Sequence, residues 1–437
     1  MKLLSPFSLT LIHSHNQSPF LHDSNFSIPH ACLLPLQNPY FRPQFHSILP
    51  RVSIGGEHMD LVRKLGSKCC VVQSKKTNQK LEVIESDDNV VSGEDVFDSA
   101  SAGAEVPPDH LVIMVNGIIG SAADWRYAAK QFVKRLPNKV IVHCSDCNSS
   151  TLTFDGVDRM GERLAEEVLT VVKKWPEASK ISFIAHSLGG LVARYAIGRL
   201  YENIPVNRSS NLKENESEKS LQQLFEARIA GLQPVNFITV ATPHLGSRGH
   251  RQLPFLCGLP FLERRAPQTA HWIVGRSGKH LFLTDNDNEG RPLLLQMVND
   301  SENIKFMSAL GSFKRRVAYA NANYDQVVGW RTSSIRRQHE LPKSNLLVKD
   351  EKYPHIVCVE QETSDAIQTG ISFVDIPQNL EEEMIRGLTQ VPWERVDVSF
   401  HKSTQRYIAH TTIQVKNYWL NFDGADVVLH MIDNFLL

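Results

Sequence analysis

Residues Ile181–Tyr195 read Ile-Ser-Phe-Ile-Ala-His-Ser-Leu-Gly-Gly-Leu-Val-Ala-Arg-Tyr, and this stretch decides how the chain folds. An apolar run ends just before Ser187, and a helical pattern begins directly after it. Apolar side chains then recur at spacings of three and four residues, so they share one helix face. They are Leu188, Leu191, Val192, Tyr195 and Ala196. The pattern predicts a strand that turns sharply into a helix, with a serine at the apex of the turn.

A strand, a serine and a helix in this order form the nucleophile elbow of α/β-hydrolases, whose usual pattern is Gly-x-Ser-x-Gly. Here Ala185 takes the place of the first glycine and Gly189 is the second. The turn exposes the Ser187 hydroxyl, and the positive end of the helix dipole favours the negative charge of acyl transfer. The alternative is an ordinary turn with a buried serine, and the flanking strand and amphipathic helix favour the elbow.

Composition argues against several other classes of protein. The 437 residues, 42% of them hydrophobic, suffice for one large domain with extensions, or for two domains. The formal net charge is zero, which gives no electrostatic case for a nucleic-acid partner. No apolar run approaches the length of a transmembrane helix. The seven scattered cysteines argue against a disulfide framework, and we interpret Cys144 and Cys147 as a plain pair of thiols in a reducing compartment.

The first 107 residues do not resemble a folded domain. Residues 1–58 are rich in serine, histidine, proline and asparagine and poor in acids, so we expect a targeting or disordered segment. Its composition resembles a plastid transit peptide and predicts a chloroplast location, with a cytoplasmic or membrane-peripheral location as the alternative. A secretory signal competes, but Pro6 breaks the short apolar stretch near Leu3–Ile12. Residues 59–107 are polar and are interpreted as a linker.

From residue 108 to residue 437 the chain has the pattern of an α/β-hydrolase domain. Leu111–Val115 is an apolar run typical of a buried parallel strand, and two strand–helix units precede the serine strand. This series predicts a mostly parallel twisted sheet with helices on both faces. The loop after the first strand supplies an oxyanion-hole N–H in such folds, so the expected donors are the N–H groups of Ile118 and Leu188. A glycine turn without chemistry is the alternative for this loop.

Two insertions are expected within the domain. Residues of about 247–300 are apolar but interrupted by proline and glycine, which suits a lid or an acyl-binding cap. A buried helix pair that does not contact substrate is an equally good interpretation. Residues of about 338–393 are polar and are interpreted as an insertion before the last strand.

Two further residues complete the candidate site. Asp325 follows a late predicted strand, where these folds keep the acid that orients a histidine. His401 and His410 both follow the last predicted strand, and His410 is preferred because its loop is long enough to reach over the sheet edge. The order Ser187, Asp325, His410 is that of the superfamily, and a serine hydroxyl needs a positioned imidazole to become a good nucleophile.

The sequence resembles the putative serine esterase (lipase-like) family of plants and fungi, within the α/β-hydrolases. The resemblance implies hydrolysis of acyl esters, lipids above all, with Ser187 as nucleophile, Asp325 as orienting acid and His410 as base, and without a metal or organic cofactor. Asn116 stands where many relatives have histidine. The matching segments are Val115–Gly117, Asp155–Val157, Met160–Leu164, Ala185–Gly189, Ala241–Gly246, Gly278–Asp285 and Gly424–Asp426.

The resulting expectation is a serine hydrolase that cleaves carboxylic esters through an acyl-enzyme. Two alternatives stay open: acyl transfer to an alcohol on the same three residues, and a non-catalytic hydrolase fold that binds lipid or protein. The expected partner is an acyl-lipid or other ester substrate, with association to a membrane surface or lipid droplet as a further expectation. The sequence alone does not predict the head group, because the shape of the pocket decides it.

Overall fold

The computed structural model describes residues 107–205, 225–247, 274–285, 290–343, 347–361 and 379–437, and the backbone of Val96–Phe97. The expected targeting segment, residues 1–58, lies outside the described residues. So do most of the expected linker, residues 59–107, and residues 248–273 and 286–289 of the expected cap. Of the expected polar insertion, residues 344–346 and 362–378 are outside as well.

The described residues form an eight-stranded sheet and a separate antiparallel pair. The strand order is β1-β3-β2-β4-β7-β8-β10-β9, with β5 paired to β6. Strands β3, β2, β4, β7, β8 and β10 are parallel, and β1 and β9 pair antiparallel at the two edges. The bounds are β1 Val96–Phe97, β2 His110–Val115, β3 Val140–Cys144, β4 Lys180–His186, β5 Tyr201–Pro205, β6 Phe225–Ile229, β7 Gln233–Val240, β8 Arg315–Asn321, β9 Ile356–Gln361 and β10 Glu394–Val398.

Six helices of seven or more residues begin and end inside the described ranges, and they pack on the sheet. They are α1 Arg126–Arg135, α2 Val157–Lys174, α3 Leu188–Leu200, α4 Phe306–Ser312, α5 Leu380–Leu388 and α6 Ala425–Asp433. Residues 274–281 are also helical. Short helices lie at Leu293–Gln296, Trp330–Ser334, Ala409–Thr412 and Tyr418–Asn421, and 3₁₀ turns at Ala122–Trp125, Ser150–Phe154, Gln338–Glu340, Thr404–Ile408 and Phe422–Gly424. In the part of the chain that the structure describes, no helix has both the length and the apolarity needed to cross a bilayer.

The sheet separates two hydrophobic cores, and strand β2 contributes to both. Leu111 and Ile113 belong to the core under α2, α3, α4 and α5, whereas Val112 and Met114 belong to the core under α1 and α6. Successive side chains of a strand point to opposite faces, so a run that is buried on both faces must be apolar at every position. The predicted α/β-hydrolase fold, a mostly parallel sheet with helices on both faces, is confirmed.

The segment interpreted as a polar insertion contributes an edge strand and a helix. Strand β9 pairs antiparallel with β10, and buried residues of α5 join the first core. An edge strand has one free side, and the second half of β9 alternates between partly exposed and exposed residues. This pattern explains why the segment reads as polar although it belongs to the sheet.

The carboxyl ends of the parallel strands all lie on one side of the sheet, which we call its carboxyl edge. The loops after β2, β4, β7, β8 and β10 therefore start from the same edge. These loops carry Ile118, Ser187, Pro243, Asp325 and His410, respectively. Residues far apart in the sequence are brought together in this way.

We predict that Gly161→Ala destabilises the fold by about 1–3 kcal/mol, because the close contact between α2 and α3 leaves no room for a methyl group. A Cβ at Gly161 would collide with the Tyr195 ring. This outcome opposes helix propensity, which favours alanine by about 1 kcal/mol. Urea unfolding measures the change. Gly311→Ala in α4 is the matched control, since a Cβ there meets only Val391 at 3.4 Å, an ordinary contact. If both variants are equally stable, the packing argument is wrong.

Candidate active site

Ser187 sits in a strained turn between β4 and α3. Its φ of 54° and ψ of −128° are unusual for a residue with a side chain. Neighbouring chain segments crowd the turn: a Cβ at Gly117 would lie 2.9 Å from the Ser187 Cβ, and a Cβ at Gly189 would collide with the Asn116 carbonyl. A Cβ at Gly190 would collide with Thr242. Close approach of the neighbouring segments therefore requires glycine at these three positions.

The structure brings the three predicted site residues into one hydrogen-bonded chain. The distance between His410 Nε2 and Ser187 Oγ is 3.0 Å, and that between His410 Nδ1 and Asp325 Oδ2 is also 3.0 Å. An ionised carboxylate can only accept, so Nδ1 carries the proton and Nε2 accepts from the serine hydroxyl. The competing histidine, His401, is exposed and packs beside the Tyr324 ring.

Asp325 is held as a carboxylate by its surroundings. Oδ1 accepts the N–H groups of Val327 and Val328 at 2.9 and 2.8 Å, and Oδ2 accepts from the Asn321 amide at 2.9 Å. Burial by itself would raise the pKa of Asp325, but His410 and these hydrogen bonds outweigh it and lower the pKa. Asn321 also donates to the Ala409 carbonyl at 3.3 Å, so it joins the loops that carry the acid and the histidine.

His186 is a residue of the site that sequence reasoning missed. Its Nε2 donates to the His410 carbonyl at 2.7 Å, and the two ring centroids are 4.7 Å apart. Burial, with the nearby His410, holds the pKa of His186 well below its ordinary value, so this ring is neutral. His186 therefore fixes the backbone of the loop that carries His410. Its position directly before Ser187 is the one sequence signal that could have identified it.

The two predicted oxyanion donors border the same cleft as Ser187. Leu188 is the first residue of α3, so its N–H has no acceptor within that helix. Among the residues that the structure describes, none accepts a hydrogen bond from the Ile118 N–H. The buried Asn116 side chain donates to the Gly117 carbonyl at 3.1 Å and to the Asn148 carbonyl at 2.9 Å. Asn116 thus fixes the loop after β2 through these two hydrogen bonds. The family resemblance implied no role for this residue.

A cleft of about 230 Å³ opens beside the serine, and most of the side chains around it are apolar. The helical segment 274–281, in the expected cap, supplies part of this apolar lining. The lining residues are Gly117, Ile118, Ile119, Asp124, His186, Ser187, Leu188, Pro243, Ser247, Val274, Leu281, Phe282, Val327, Val328, His410, Thr411, Gln414 and Lys416.

The C-x-x-C pair contributes nothing to this site. Among the described residues neither Cys144 nor Cys147 forms a disulfide, and neither borders the cleft. Burial, together with the nearby Glu167, raises the pKa of the Cys147 thiol. A thiol with a raised pKa is a poor nucleophile at neutral pH.

Comparison with known proteins identifies the family. The model of the family described as "Putative serine esterase (DUF676)" matches residues 105–335, which is more than half of the chain. This protein belongs to that serine esterase family. The match contains Ser187 and Asp325, whereas His410 lies beyond it.

The curated relatives of this family member are named as lipases. The chain is 29% identical over 235 residues to "Putative lipase C4A8.10" of Schizosaccharomyces pombe, a match covering 52% of this chain and 26% of the relative. It is 29% identical over 230 residues to "Putative lipase ROG1" of Saccharomyces cerevisiae, covering 52% and 28%. The chain thus spans about a quarter of the length of these relatives.

Solved structures similar to this esterase family member include bacterial and archaeal enzymes. Bacillus licheniformis lipase BlEst2 in its mature form is 15% identical, with 50% of this chain and 66% of that chain covered and a TM-score of 0.25. Pyrococcus furiosus esterase Pf2001 is 17% identical, with 52% and 65% covered and a TM-score of 0.29.

We predict that Asp325→Asn lowers stability at neutral pH and that the deficit shrinks in acid. Because the pKa of Asp325 is lowered in the folded state, its contribution is complete above the ordinary value of 3.8. That contribution is lost as the pH falls through the lower, folded pKa. Urea unfolding of both proteins between pH 3 and pH 8 measures it, with Asp146→Asn at an exposed aspartate as control. A deficit that stays constant over this range contradicts the prediction.

Proposed function

We propose that this protein hydrolyses carboxylic esters of acyl lipids through an acyl-enzyme formed on Ser187. The observation that carries the proposal is the unbroken chain of hydrogen bonds from Ser187 through His410 to Asp325. This chain borders a largely apolar cleft, so an acyl group and a nucleophile can meet in one place. Membership of the serine esterase family supports the same reaction class.

The first half of the reaction transfers the acyl group to the serine. His410 Nε2 takes the proton from Ser187 as the hydroxyl oxygen attacks the ester carbonyl. The N–H groups of Ile118 and Leu188 hold the oxyanion, and one such donor contributes roughly 3 kcal/mol to lowering the barrier. His410 then gives its proton to the departing alcohol. Asp325 keeps the ring in the required tautomer and stabilises its charged form.

The second half releases the acid. His410 takes a proton from a water molecule, which attacks the acyl carbon of the acyl-enzyme. Collapse of this intermediate breaks the bond to Ser187, and His410 returns the proton to the serine oxygen. The carboxylic acid leaves and the resting hydrogen bonds form again.

An exposed aromatic rim supports lipid as the substrate class and a lipid surface as its source. The rim consists of large side chains that are 44–86% exposed. They lie on two short segments that are next in sequence to Thr411 and Lys416, two residues that line the cleft. Tryptophan and tyrosine, which have apolar rings with polar tips, favour the boundary between water and lipid. We propose a membrane or droplet surface as the partner, and a plastid location from the composition of residues 1–58. The rim residues are Tyr407, Ile408, Tyr418, Trp419, Leu420 and Phe422.

Two other functions are distinguished by experiment. Acyl transfer uses the same residues but an alcohol in place of water, so product analysis with a competing alcohol separates it from hydrolysis. A non-catalytic binding role predicts that a fluorophosphonate probe does not label Ser187. The hydrogen bond between Ser187 and His410 argues against that role.

We predict that Ser187→Ala removes hydrolysis of p-nitrophenyl acyl esters and labelling by a fluorophosphonate, because both need the serine oxygen. The loss in kcat is about 10⁶-fold, and the thermal unfolding midpoint stays close to that of the wild type. Ser399→Ala is the matched control: this serine lies just after β10, and its Oγ hydrogen bonds the Asn323 side chain and the backbone N–H of His401. Normal turnover by the Ser187 variant would end the assignment.

We predict that Trp419→Ser weakens binding to phosphatidylcholine vesicles about tenfold. Its side chain is 86% exposed, and burying a large apolar side chain contributes about 1.5–3 kcal/mol. Vesicle sedimentation measures the binding. Leu169→Ser, at an exposed leucine of α2 outside the rim, is the control. Unchanged binding by the Trp419 variant would exclude the rim as the contact surface.

A further inference from the structure

The loop after β2 carries one of the two proposed oxyanion donors, the N–H group of Ile118, and Ile118 borders the cleft. The same peptide unit carries the Gly117 carbonyl, which accepts from the Asn116 side chain and from the Gly120 N–H, each at 3.1 Å. A peptide unit is planar and trans, so its N–H and its C=O point in opposite directions. The two bonds to the Gly117 carbonyl therefore direct the Ile118 N–H away from Asn116 and Gly120.

The next peptide unit of this loop is held by Thr153. The Thr153 Oγ1 accepts the Ile119 N–H at 2.9 Å and donates to the Ser150 carbonyl at 2.5 Å. Thr153 is fully buried, and it is not among the residues that line the cleft. Asn116 and Thr153 thus hold the peptide units on the two sides of the Ile118 Cα. The direction of the donor is fixed from both sides.

The backbone that Thr153 holds is strained. Ile119 has a φ of 53°, which a β-branched residue rarely adopts. Its side chain is 62% exposed, so side-chain packing contributes little to this conformation. Strained residues persist only where the surrounding structure fixes them, and they collect at functional sites. Because the bond to Thr153 acts directly on the strained residue, we expect the loop to relax when this bond is lost.

The turn that contains Thr153 is itself anchored to the expected cap. The Ser277 Oγ donates to the Thr153 carbonyl at 2.6 Å and accepts the Gly156 N–H at 3.1 Å. Ser277 is fully buried, and it lies in the helical segment 274–281, which supplies part of the cleft lining. Thr153 therefore contacts the loop after β2 with its side chain and the cap with its carbonyl.

The two hydrogen bonds of the Thr153 hydroxyl suggest two different roles. The bond to the Ser150 carbonyl is local, and by itself it would only complete the 3₁₀ turn Ser150–Phe154. The bond from the Ile119 N–H spans 34 residues and ends on the loop that carries the donor. A role in the reaction requires this second bond, and such a role changes different kinetic constants from a role in folding.

We infer that Thr153 is a positioning residue for the proposed reaction: through the Ile119 N–H it sets the direction of the Ile118 N–H, which holds the oxyanion. A misdirected donor weakens the transition state more than the bound ester, because the negative charge forms only as the serine attacks. Thr153 itself does not touch the ester. The inference rests on the proposed function, since it requires attack by Ser187 on an ester carbonyl.

Thr153→Val and Thr153→Ser test the hydroxyl, because valine keeps the shape of threonine without the hydroxyl and serine keeps the hydroxyl. We expect Thr153→Val to lower kcat about tenfold on p-nitrophenyl acetate and p-nitrophenyl octanoate alike, a smaller loss than the roughly hundredfold or greater effect of removing a donor outright. KM should not change, and Thr153→Ser should retain most of the activity. Thr389→Val is the control: it removes a hydroxyl that bonds the Ile385 carbonyl at the end of α5, and it should leave kcat unchanged.

Inhibition by a trifluoromethyl ketone gives a second readout, because its adduct with Ser187 carries the oxyanion. We expect its inhibition constant to rise about tenfold in Thr153→Val, in parallel with the fall in kcat. Three results in a folded Thr153→Val protein overturn the inference: an unchanged kcat, a change confined to KM, or a loss that Thr153→Ser shares in full. The last result would make packing of the side chain the cause instead of the hydroxyl.

The thermal unfolding midpoint reports whether Thr153→Val is folded. If it is not, Ser277→Ala decides, because it removes the bond that holds the Thr153 carbonyl from the cap side. We then expect a lower kcat on p-nitrophenyl acetate and weaker inhibition by the trifluoromethyl ketone, and no change in either overturns the inference. If the wild-type protein cleaves neither ester and a fluorophosphonate does not label Ser187, the proposed function fails as well.

Discussion

The crowding of backbone around Ser187 is the constraint on which the rest of the structure depends. The turn between β4 and α3 lies against the loop after β2 and the loop after β7, and no further methyl group fits between them. Gly117, Gly189 and Gly190 have no side chains, so the loops that follow the strands can approach closely enough to form one site. The strain at Ser187 is maintained by this packing, and it keeps the hydroxyl at the edge of the sheet.

The second requirement is an anchored histidine. His410 lies on a loop 223 residues after Ser187, and a loop of this kind would be mobile without fixed contacts. Three buried groups provide them: Asp325 holds the ring, while His186 and Asn321 hold the backbone of His410 and Ala409. The ring is therefore held in place by its surroundings, as the proposed reaction requires.

The cleft combines this polar chain with a largely apolar lining. Residues 274–281 cover one part of it and the loop after Asp325 another. Apolar walls suit an acyl chain and also exclude water, so the hydrogen bonds of the site act in a medium of low polarity.

Local patterns predict most of the framework. The apolar run of β2, the elbow at Ser187 and the order of the three site residues depend on residues that are close in sequence or follow the order of the chain. The contributions of β9, His186 and Asn321 depend instead on pairing between distant segments, and no local pattern contains that information. The edge strand β9 looked like an insertion because only part of it is buried.

The sequence by itself determined the parallel strands of the sheet, the helices between them and the identity of the candidate nucleophile, since apolar runs, apolar residues at helical spacing and small residues at a turn act locally. Only the tertiary structure decided between His401 and His410, because that choice depends on which ring reaches Ser187 and Asp325. Burial and hydrogen bonding of a side chain are set by the segments that fold around it, and these come from the whole length of the domain.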